Sequence, residues 1–476
     1  MSVPQIRRRF LTLLALRWLA VGLTIPIQVL LPLSRGLTLS QVGLVFSAQG
    51  FVVLLLELPT GGLTDVWGRR PVLLLAGAVG IAASLLFYFA QTPLAFALAA
   101  GLMGVFRALD SGPLEAWFVD AVHVADTDYP LERGLSAGNS VIGIGIGVGS
   151  LAAGGLVGWD PLPGLERLAV PVLVGVAVQV ILLPMTVALM REVPTVTMRG
   201  GVWAAARDVP RAIGAGVGVL RGSRVLLALV SVELLWGLGL PGVESLTPVR
   251  LAEILDNSDA AAALMGPVGF AAWFASALGS AGALLLTRRW GIAASAAVLR
   301  IVQGATVVVM GMAGGAPGLL TAFLACYLVH GASNALHSSL LHKQVGSAQR
   351  ATVLSLNSMI FQGAGAIGTL LLPLLANLAS VSTALVVAGV VLALAAPLYL
   401  PARRAERSIR AATNGAVSAA VERGVTQLDT RVAISLLEAT GAQPGARSPT
   451  GGAVAAFPAD PTKMQKPSAD AERKGA

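Results

Sequence analysis

The sequence predicts an all-α polytopic membrane protein with twelve transmembrane helices. Its composition is 55% hydrophobic and only 12% charged, with a mean hydropathy of +0.78, which excludes an ordinary soluble chain. Apolar runs of about 18 to 25 residues, long enough to cross a hydrocarbon core, follow one another between residues 10 and 400. Six runs lie on each side of a long basic loop, so we expect two six-helix halves.

Composition divides the chain into four segments. Residues 1–190 and 224–400 hold the two six-helix halves, and residues 191–223 form a basic, proline-containing cytoplasmic linker between them. Residues 401–476 are rich in Ala, Gly, Pro, Arg and Glu, which is typical of a largely disordered cytoplasmic tail.

Basic residues predict which side of the membrane each loop faces. They concentrate in the loops on one side of the bundle, beginning with Arg7, Arg8 and Arg9, whereas the opposite loops keep little more than Arg35 and Arg167. Because positively charged loops stay in the cytoplasm, both termini are expected inside. This pattern accounts for the net charge of +9 without nucleic acid as a partner. We expect a multi-pass protein in the lipid bilayer of the cytoplasmic (inner) cell membrane.

The most specific motif is a charged hinge between the second and third predicted spans. It reads Gly61-x3-Asp65-x2-Gly68-Arg69-Arg70. Gly61 allows close helix approach, and Gly68 permits a sharp turn. The Asp65 carboxylate can cap a helix start or pair with either arginine, while Arg69 and Arg70 hold the turn on the cytoplasmic side.

This hinge resembles the signature loop between the second and third helices of the major facilitator superfamily of secondary transporters. The resemblance implies that superfamily's fold, two six-helix pseudo-repeats with both termini inside. It also implies that a small molecule is transported by alternating access and that the protein is a monomer. In the superfamily, an acid at the cytoplasmic end of the fourth helix pairs with the hinge arginine, a role that Asp120 matches. We therefore expect Asp65, Arg69 and Asp120 to form a gating latch.

The second half carries a reduced copy of the hinge. The segment from Thr287 to Gly291 keeps the glycine and two arginines but lacks the aspartate. An Asn-Ser pair opens both the fifth and the eleventh predicted spans, at Asn139 and Asn357. These repeats indicate duplicated halves that share an architecture and differ in chemistry.

Charges inside the fourth predicted span are candidates for proton coupling or for lining a cavity, since an unpaired charge at mid-membrane costs several kcal/mol. Arg107 and Asp110 are spaced to pair on one helix face, and Glu115 follows them. Members of the superfamily often have an arginine near Arg107 that is implicated in proton coupling. The run from Ser111 to Asp120 resembles a bacterial subset with Ser-Gly-x-x-Glu-Ala-x-x-x-Asp.

Three other spans carry candidates for the same role. Arg17 of the first span is expected to pair with Glu57 or with Glu115, and the sequence does not choose between them. In the seventh span, Glu233 lies on one helix face with Trp236, and a carboxylate in an apolar pocket is suited to carry a proton.

The ninth and tenth spans add buried polar candidates. Arg300 is expected to pair with a carboxylate of the second half. His330, Asn334 and His337 form a polar stripe along one helix, and we interpret the histidines as hydrogen-bonded structural residues.

Our leading functional hypothesis is proton-coupled efflux of amphipathic or drug-like compounds through a largely apolar cavity. The motif Gly-x3-Gly-Pro-x2-Gly-Gly of the superfamily's proton-coupled drug antiporters keeps only Gly154-Gly155 here, and the glycines of the fifth span also suit close helix packing. One alternative is proton-coupled uptake of a polar metabolite, which requires more Asn, Gln or Arg facing the cavity. Another is a membrane scaffold or sensor that transports nothing.

The sequence contains no motif that predicts an enzyme. It has no Walker-type phosphate loop, no His-Glu-x-x-His and no cysteine pair. We therefore expect neither catalysis nor a cofactor nor a metal site, and the expected partners are a small-molecule substrate and protons.

Overall fold

The computed structural model describes residues 1–192, 214, 217–345 and 347–422. The side chains of 57–59, 61–62, 65–66, 284, 347–352 and 416–422 are not described. The chain forms two compact units, Met1–Glu406 and Arg407–Ala476. Most of the predicted linker and of the predicted tail lies outside the described residues.

The first unit is a helical bundle, and no strand occurs in the described ranges. Its helices are α1 (Val3–Thr24), α2 (Leu30–Ser34), α3 (Leu39–Trp67), α4 (Arg69–Phe89), α5 (Pro93–Asp110), α6 (Pro113–Ala125), α7 (Leu131–Trp159), α8 (Val170–Leu189), α9 (Arg224–Leu255), α10 (Ser258–Trp290), α11 (Ile292–Met312), α12 (Ala316–Lys343), α13 (Ser347–Leu378), α14 (Val381–Ala393) and α15 (Leu400–Glu422), which continues into the second unit.

Eleven segments of the described chain are long and apolar enough to cross a membrane. One of them, Pro93–Ala125, combines α5 and α6. The sequence predicted one continuous fourth span, but α5 ends at Asp110 and the chain turns at Gly112, whose φ is +94°. Helix α1 contains four arginines and is not among these eleven segments. It packs against α7 and α8, so it is the additional helix that brings the spans of the described bundle to twelve. The all-α fold expected from the sequence is thus confirmed.

We call the spans before the predicted linker the first group and the spans after it the second group. In the first group α4 packs against α5 and α8, and in the second α9 packs against α13 and α14. Extensive contacts of α3 with α13 and of α7 with α10 join the two groups within one compact unit. The space between the groups is where a cavity can form.

Glycines allow the joining helices to approach closely. A Cβ added to Gly154 of α7 would lie 2.8 Å from the Cα of Gly266 in α10, and one added to Gly43 of α3 would lie 2.8 Å from the backbone oxygen of Thr369 in α13. Since real Cβ atoms do not approach other atoms so closely, these contacts require glycine. The glycine-rich fifth span is therefore a packing surface.

The two hinges share one backbone conformation. Gly68 has φ and ψ of 86° and 165°, and Gly291 has 84° and 168°. Each glycine donates its N–H to the carbonyl four residues earlier, of Thr64 and Thr287 respectively. A positive φ favours glycine, so the second hinge keeps the turn geometry although it lacks the aspartate.

We expect Gly154→Ala and Gly155→Ala to change stability in opposite directions. A methyl group on Gly154 would meet backbone of α10, and overpacking costs about 1–3 kcal/mol. A methyl group on Gly155 would meet no atom within 4 Å, and alanine stabilises a helix by about 0.5–1 kcal/mol relative to glycine. Thermal unfolding of the purified variants, followed by tryptophan fluorescence, measures the difference. Equal shifts in both variants would contradict the packing argument.

Candidate functional site

A cavity of about 690 Å³ lies between the two groups of helices. Most of its lining comes from the first group, from α1, α3, α4, α5, α6 and α8. The second group contributes Ser358, Phe361 and Gln362 of α13. The cavity is therefore lined by helices of both groups.

An ion pair between α1 and the end of α5 lines this cavity. The guanidinium of Arg17 contacts the carboxylate of Asp110, and Nη2 of Arg17 also donates to the backbone oxygen of Asp110 at 3.0 Å. Asp110 is the last residue of α5, where helix carbonyls lack intrahelical donors. The two side chains are 10% and 20% exposed, so Arg17 both neutralises a largely buried carboxylate and caps the helix.

The sequence analysis did not predict this pairing. It expected Arg17 to pair with Glu57 or Glu115, and it placed Arg107 and Asp110 on one helix face. Both residues lie in α5, and α1 supplies Arg17 as a partner of Asp110 from a different helix. Glu115, in the first turn of α6, lines the cavity and interacts electrostatically with Arg17. The side chain of Glu57 lies outside the described residues.

Arg107 is exposed on the cavity wall, and it interacts electrostatically with Glu244 of α9. Glu244 accepts a hydrogen bond from the Tyr327 hydroxyl at 3.0 Å. An attraction thus runs across the two groups of helices, from α5 to α9.

Uncharged amides also line the cavity, on four different segments: Gln28, Gln49, Gln179 and Gln362. Nε2 of Gln179 donates to the Ser84 hydroxyl at 3.1 Å, while its Oε1 has no partner within the described chain. The remaining walls include aromatic side chains: Trp18, Phe46, Phe87, Phe106 and Phe361. The cavity is more polar than the sequence analysis expected, because residues from distant helices converge on it.

At the first hinge, Arg69 binds Asp120. Their salt bridge joins Nη2 of Arg69 to Oδ2 of Asp120 at 2.6 Å, and Nε donates to the same oxygen at 2.7 Å. This is the contact expected between the hinge and the fourth span. At positions 61 and 65 the structure describes only the helical backbone of α3 and no side chain. The contribution of Gly61 and Asp65 to the latch therefore stays a prediction.

Two glutamates that the sequence analysis missed cap the helices after the hinges. The carboxylate of Glu192 accepts the backbone N–H groups of Arg69 at 2.9 Å and Arg70 at 3.3 Å, at the start of α4. Glu406 accepts the N–H of Ala293 at 3.1 Å, at the start of α11. A carboxylate at a helix N-terminus is favoured by the helix dipole. In the sequence, each of these glutamates follows shortly after the last predicted span of its half, and this position could have identified both as caps.

A second polar cluster lies in the other group of helices. Oε1 of Glu233 lies 3.0 Å from Nε2 of His337, whose Nδ1 lies 3.0 Å from the Tyr399 hydroxyl. The guanidinium of Arg300 lies 4.0 Å from the ring centre of Trp236. All five residues are buried, and none lines the cavity. Glu233 and Trp236 thus share a buried environment, as the helix spacing predicted, but away from the cavity.

Among the residues that the structure describes, Arg300 does not have the carboxylate partner that was expected. Its Nη1 donates to Oε1 of Gln303 at 2.7 Å, one turn along the same helix. Nε2 of Gln303 in turn lies 3.4 Å from Nδ1 of His330. The aromatic face of Trp236 and the amide of Gln303 take the place of a direct ion pair.

Comparison with known proteins identifies the family and the fold. Residues 10–368 match the family model described as Major Facilitator Superfamily. A search of curated protein sequences finds no significant match.

Solved structures of this fold superimpose on most of the chain. The nucleoside transporter NupG covers 83% of this chain and 98% of its own, with a TM-score of 0.68 and 14% identity. The human organic anion transporter MFSD10 covers 84% and 100%, with a TM-score of 0.59 and 18% identity. A bacterial homologue of the human lysosomal transporter Spinster, inward-facing and occupied, covers 84% and 96%, with a TM-score of 0.63 and 15% identity. At these identities the likeness concerns the fold alone.

We expect Arg17→Gln and Asp110→Asn each to destabilise the protein strongly, and the double variant to lose less than the two singles combined. Removing one partner leaves an uncompensated, largely buried charge, which costs about 3–5 kcal/mol. Thermal unfolding of the four proteins completes the double-mutant cycle. Strictly additive losses would show that the two side chains act independently.

Proposed function

The chain belongs to the Major Facilitator Superfamily, and on that premise we propose that it carries a small, polar, uncharged or zwitterionic organic solute through the cytoplasmic (inner) cell membrane. The observation that carries this proposal is the set of four glutamine side chains on the cavity wall. No step requires a cofactor or a catalytic group. The small molecule, protons and the bilayer are its partners, and a monomer suffices.

The charges of the cavity favour a solute without net charge. Arg17 and Arg107 are balanced by Asp110 and Glu115, so the wall attracts neither anions nor cations strongly. The cavity volume, about 690 Å³, lies within the range of about 300–1,000 Å³ typical of small-molecule sites. A single metabolite of moderate size fits this description.

The uncharged groups favour hydrogen-bonding solutes with a ring. Gln28 and Gln49 line the cavity, and within the described chain their side chains form no hydrogen bond. An amide both donates and accepts, so it suits hydroxyl, amide or heterocycle groups. Aromatic walls such as Phe46 and Phe106 provide surfaces for a flat apolar ring.

The two joining contacts lie on one side of the bundle. The close contacts of Gly43 with Thr369 and of Gly154 with Gly266 are at the helix ends opposite the Arg69 hinge. If both termini are inside, as the arginine distribution predicts, these contacts lie on the outer side of the membrane.

We propose that the hinge acts as a latch in this cycle. Arg69 and Asp120 tie α4 to α6, and Glu192 ties the start of α4 to the end of the sixth span. These contacts join helices of the first half, so they make that half move as one body. Asp65 is expected to complete the latch.

Efflux of amphipathic compounds by proton antiport is the second candidate. The aromatic side chains of the cavity wall favour it. It differs from the first proposal in substrate class. In antiport, protons also move opposite to the substrate, whereas in symport they move with it, so one assay separates the two.

The test uses purified full-length protein in proteoliposomes with a trapped pH-sensitive dye. The compounds added outside are neutral nucleosides, zwitterionic aromatic amino acids, organic anions and lipophilic cations. If substrate and protons move together, the lumen acidifies, whereas exchange of substrate for protons makes it alkaline. Acidification or counterflow with nucleosides or amino acids supports the polar-solute proposal. Alkalinisation with lipophilic cations alone would replace it with drug antiport.

We expect Gln49→Leu to raise KM for the transported solute about tenfold and to leave the maximal rate largely unchanged. Loss of one hydrogen-bonding partner for a buried polar group costs about 1–3 kcal/mol. The matched control is Gln91→Leu, which replaces an exposed glutamine outside the cavity. Initial-rate measurements of labelled solute across a concentration series give both parameters, and an unchanged KM would exclude Gln49 from the binding site.

A further inference from the structure

The two hinges differ in the groups that balance their charge. At the first hinge, Nη2 of Arg69 lies 2.6 Å from the Asp120 carboxylate of the fourth span. The second hinge carries Arg288 and Arg289, both exposed in the last turn of α10. Within the described ranges, neither of these two arginines forms a salt bridge. The positive charge of the second hinge is therefore not balanced there by a carboxylate.

The second half also lacks the acid that the first half uses. In the order of the spans, α12 is the counterpart of the fourth span, which bears Asp120. Residues 316–343 contain neither aspartate nor glutamate, and the last turn of α12 contains His342 and Lys343, both exposed. Where the first half carries a carboxylate towards the end of this span, the second half carries basic side chains.

The start of α15 lies beside the second hinge. Oε2 of Glu406 accepts the N–H of Ala293, in the first turn of α11 directly after the hinge. Ala402 is 2% exposed and belongs to one hydrophobic cluster with Ala293 and with Leu341, which is near the end of α12. The starts of α11 and α15 and the end of α12 therefore meet at one place.

Five basic side chains gather at this place, and we call them the basic patch: Arg288, Arg289, Lys343, Arg403 and Arg404. All of them lie in the first compact unit and are exposed. None forms a salt bridge within the part of the chain that the structure describes. The positive-inside rule requires basic residues in cytoplasmic loops, but it does not require three separate segments to bring them together.

The basic patch fits the phosphate of a lipid headgroup. A guanidinium binds phosphate oxygens through two parallel hydrogen bonds, and clusters of arginine and lysine next to a membrane span attract anionic lipids. Helix α15 starts shortly after the last span. Trp290, which directly follows the hinge arginines, is 49% exposed, and exposed tryptophans are typical of the headgroup level of a membrane. With the hinges on the cytoplasmic side, as the arginine distribution predicts, such a lipid belongs to the inner leaflet.

We propose that the basic patch binds the headgroup of an anionic phospholipid, whose phosphate supplies at the second hinge the negative charge that Asp120 supplies at the first. The site is distinct from the solute cavity, because no residue of the basic patch lines that cavity. A headgroup bound there contacts α10, α12 and α15 and so stabilises their packing at this end of the second half. Anionic lipid is thereby a partner of the protein in addition to its solute.

The first test measures lipid binding directly and needs no solute. The purified full-length protein is stripped of lipid in detergent and titrated with phosphatidylglycerol or with phosphatidylcholine of the same acyl chains, and native mass spectrometry counts the bound lipids. We expect phosphatidylglycerol to bind about tenfold more tightly, since only this lipid carries a net negative charge. Equal affinities for the two lipids would overturn the proposal.

Paired substitutions locate the site. We expect Arg288→Gln with Arg289→Gln, and separately Arg403→Gln with Arg404→Gln, each to raise the Kd for phosphatidylglycerol about tenfold. Thermal unfolding without added lipid shows which variants are folded. A folded pair that binds phosphatidylglycerol like the unaltered protein would remove its segment from the site and contradict the proposal.

The matched control is Arg7→Gln with Arg8→Gln, which removes two exposed arginines of α1. We expect this control to change the Kd for phosphatidylglycerol by less than about twofold. A loss in the control as large as in the patch variants would show that any cytoplasmic arginine attracts the lipid equally, and the proposal would be rejected.

A lysine variant keeps the charge that topology and folding require. Arg403→Lys with Arg404→Lys loses the paired hydrogen bonds of guanidinium to phosphate but keeps both positive charges, so we expect a Kd about threefold higher. An unchanged Kd in this variant would show that these guanidinium groups do not recognise the phosphate, and it would overturn the proposal even if the glutamine variants fail to fold.

Inorganic phosphate distinguishes a lipid site from a site for a free anion. We expect millimolar inorganic phosphate to leave the binding of phosphatidylglycerol unchanged, because the acyl chains hold the lipid at the membrane span. Displacement of the lipid by inorganic phosphate would replace the proposal with a site for free phosphate.

These measurements are independent of the proposed function, since they involve no solute. If phosphatidylglycerol binds as expected but no compound of the panel is transported, the lipid site is supported and the proposed substrate class is wrong. If a solute is transported and the protein does not prefer phosphatidylglycerol, the lipid site alone is rejected.

Discussion

Charges and backbone polar groups inside a membrane must find their partners within the protein, because the lipid offers none. The break between α5 and α6 shows how this constraint shapes the bundle. Ending a helix at Asp110 exposes carbonyls and a carboxylate, and Arg17 of a different helix satisfies both kinds of group. The break in turn places Ser111, Gly112 and Glu115 on the cavity wall. The cavity thus depends on an ion pair that the membrane environment makes necessary.

The same constraint is met differently in the two halves. In the first half the charges line the cavity, where a solute can meet them. In the second, Arg300 and Glu233 are buried behind Phe361 and Trp236, with histidine, tyrosine and glutamine as partners. The architecture is duplicated while the chemistry is divided. One half places its charges at the cavity, and the other buries them away from it.

Transport by alternating access also requires two bodies that can move relative to each other, and close helix packing makes this possible. Glycines such as Gly154 and Gly266 bring the halves into contact on one side, while the hinge contacts of Arg69 and Glu192 lie within the first half. The hinge in the second half repeats the turn at Gly291 and the capping glutamate at the following helix. Contacts between the halves can then rearrange without deforming either half.

The sequence by itself determined the fold, because hydrophobic length, arginine placement and the hinge are local signals. It also predicted the contact of Arg69 with Asp120, which follows from a superfamily motif. It did not predict the Arg17–Asp110 pair, since these residues lie on two helices that are far apart in the chain and meet only through packing. The amides of the cavity and the partners of His337 come from segments far apart in the chain. Only the tertiary structure could bring them together, because contacts between distant helices depend on how the whole bundle packs.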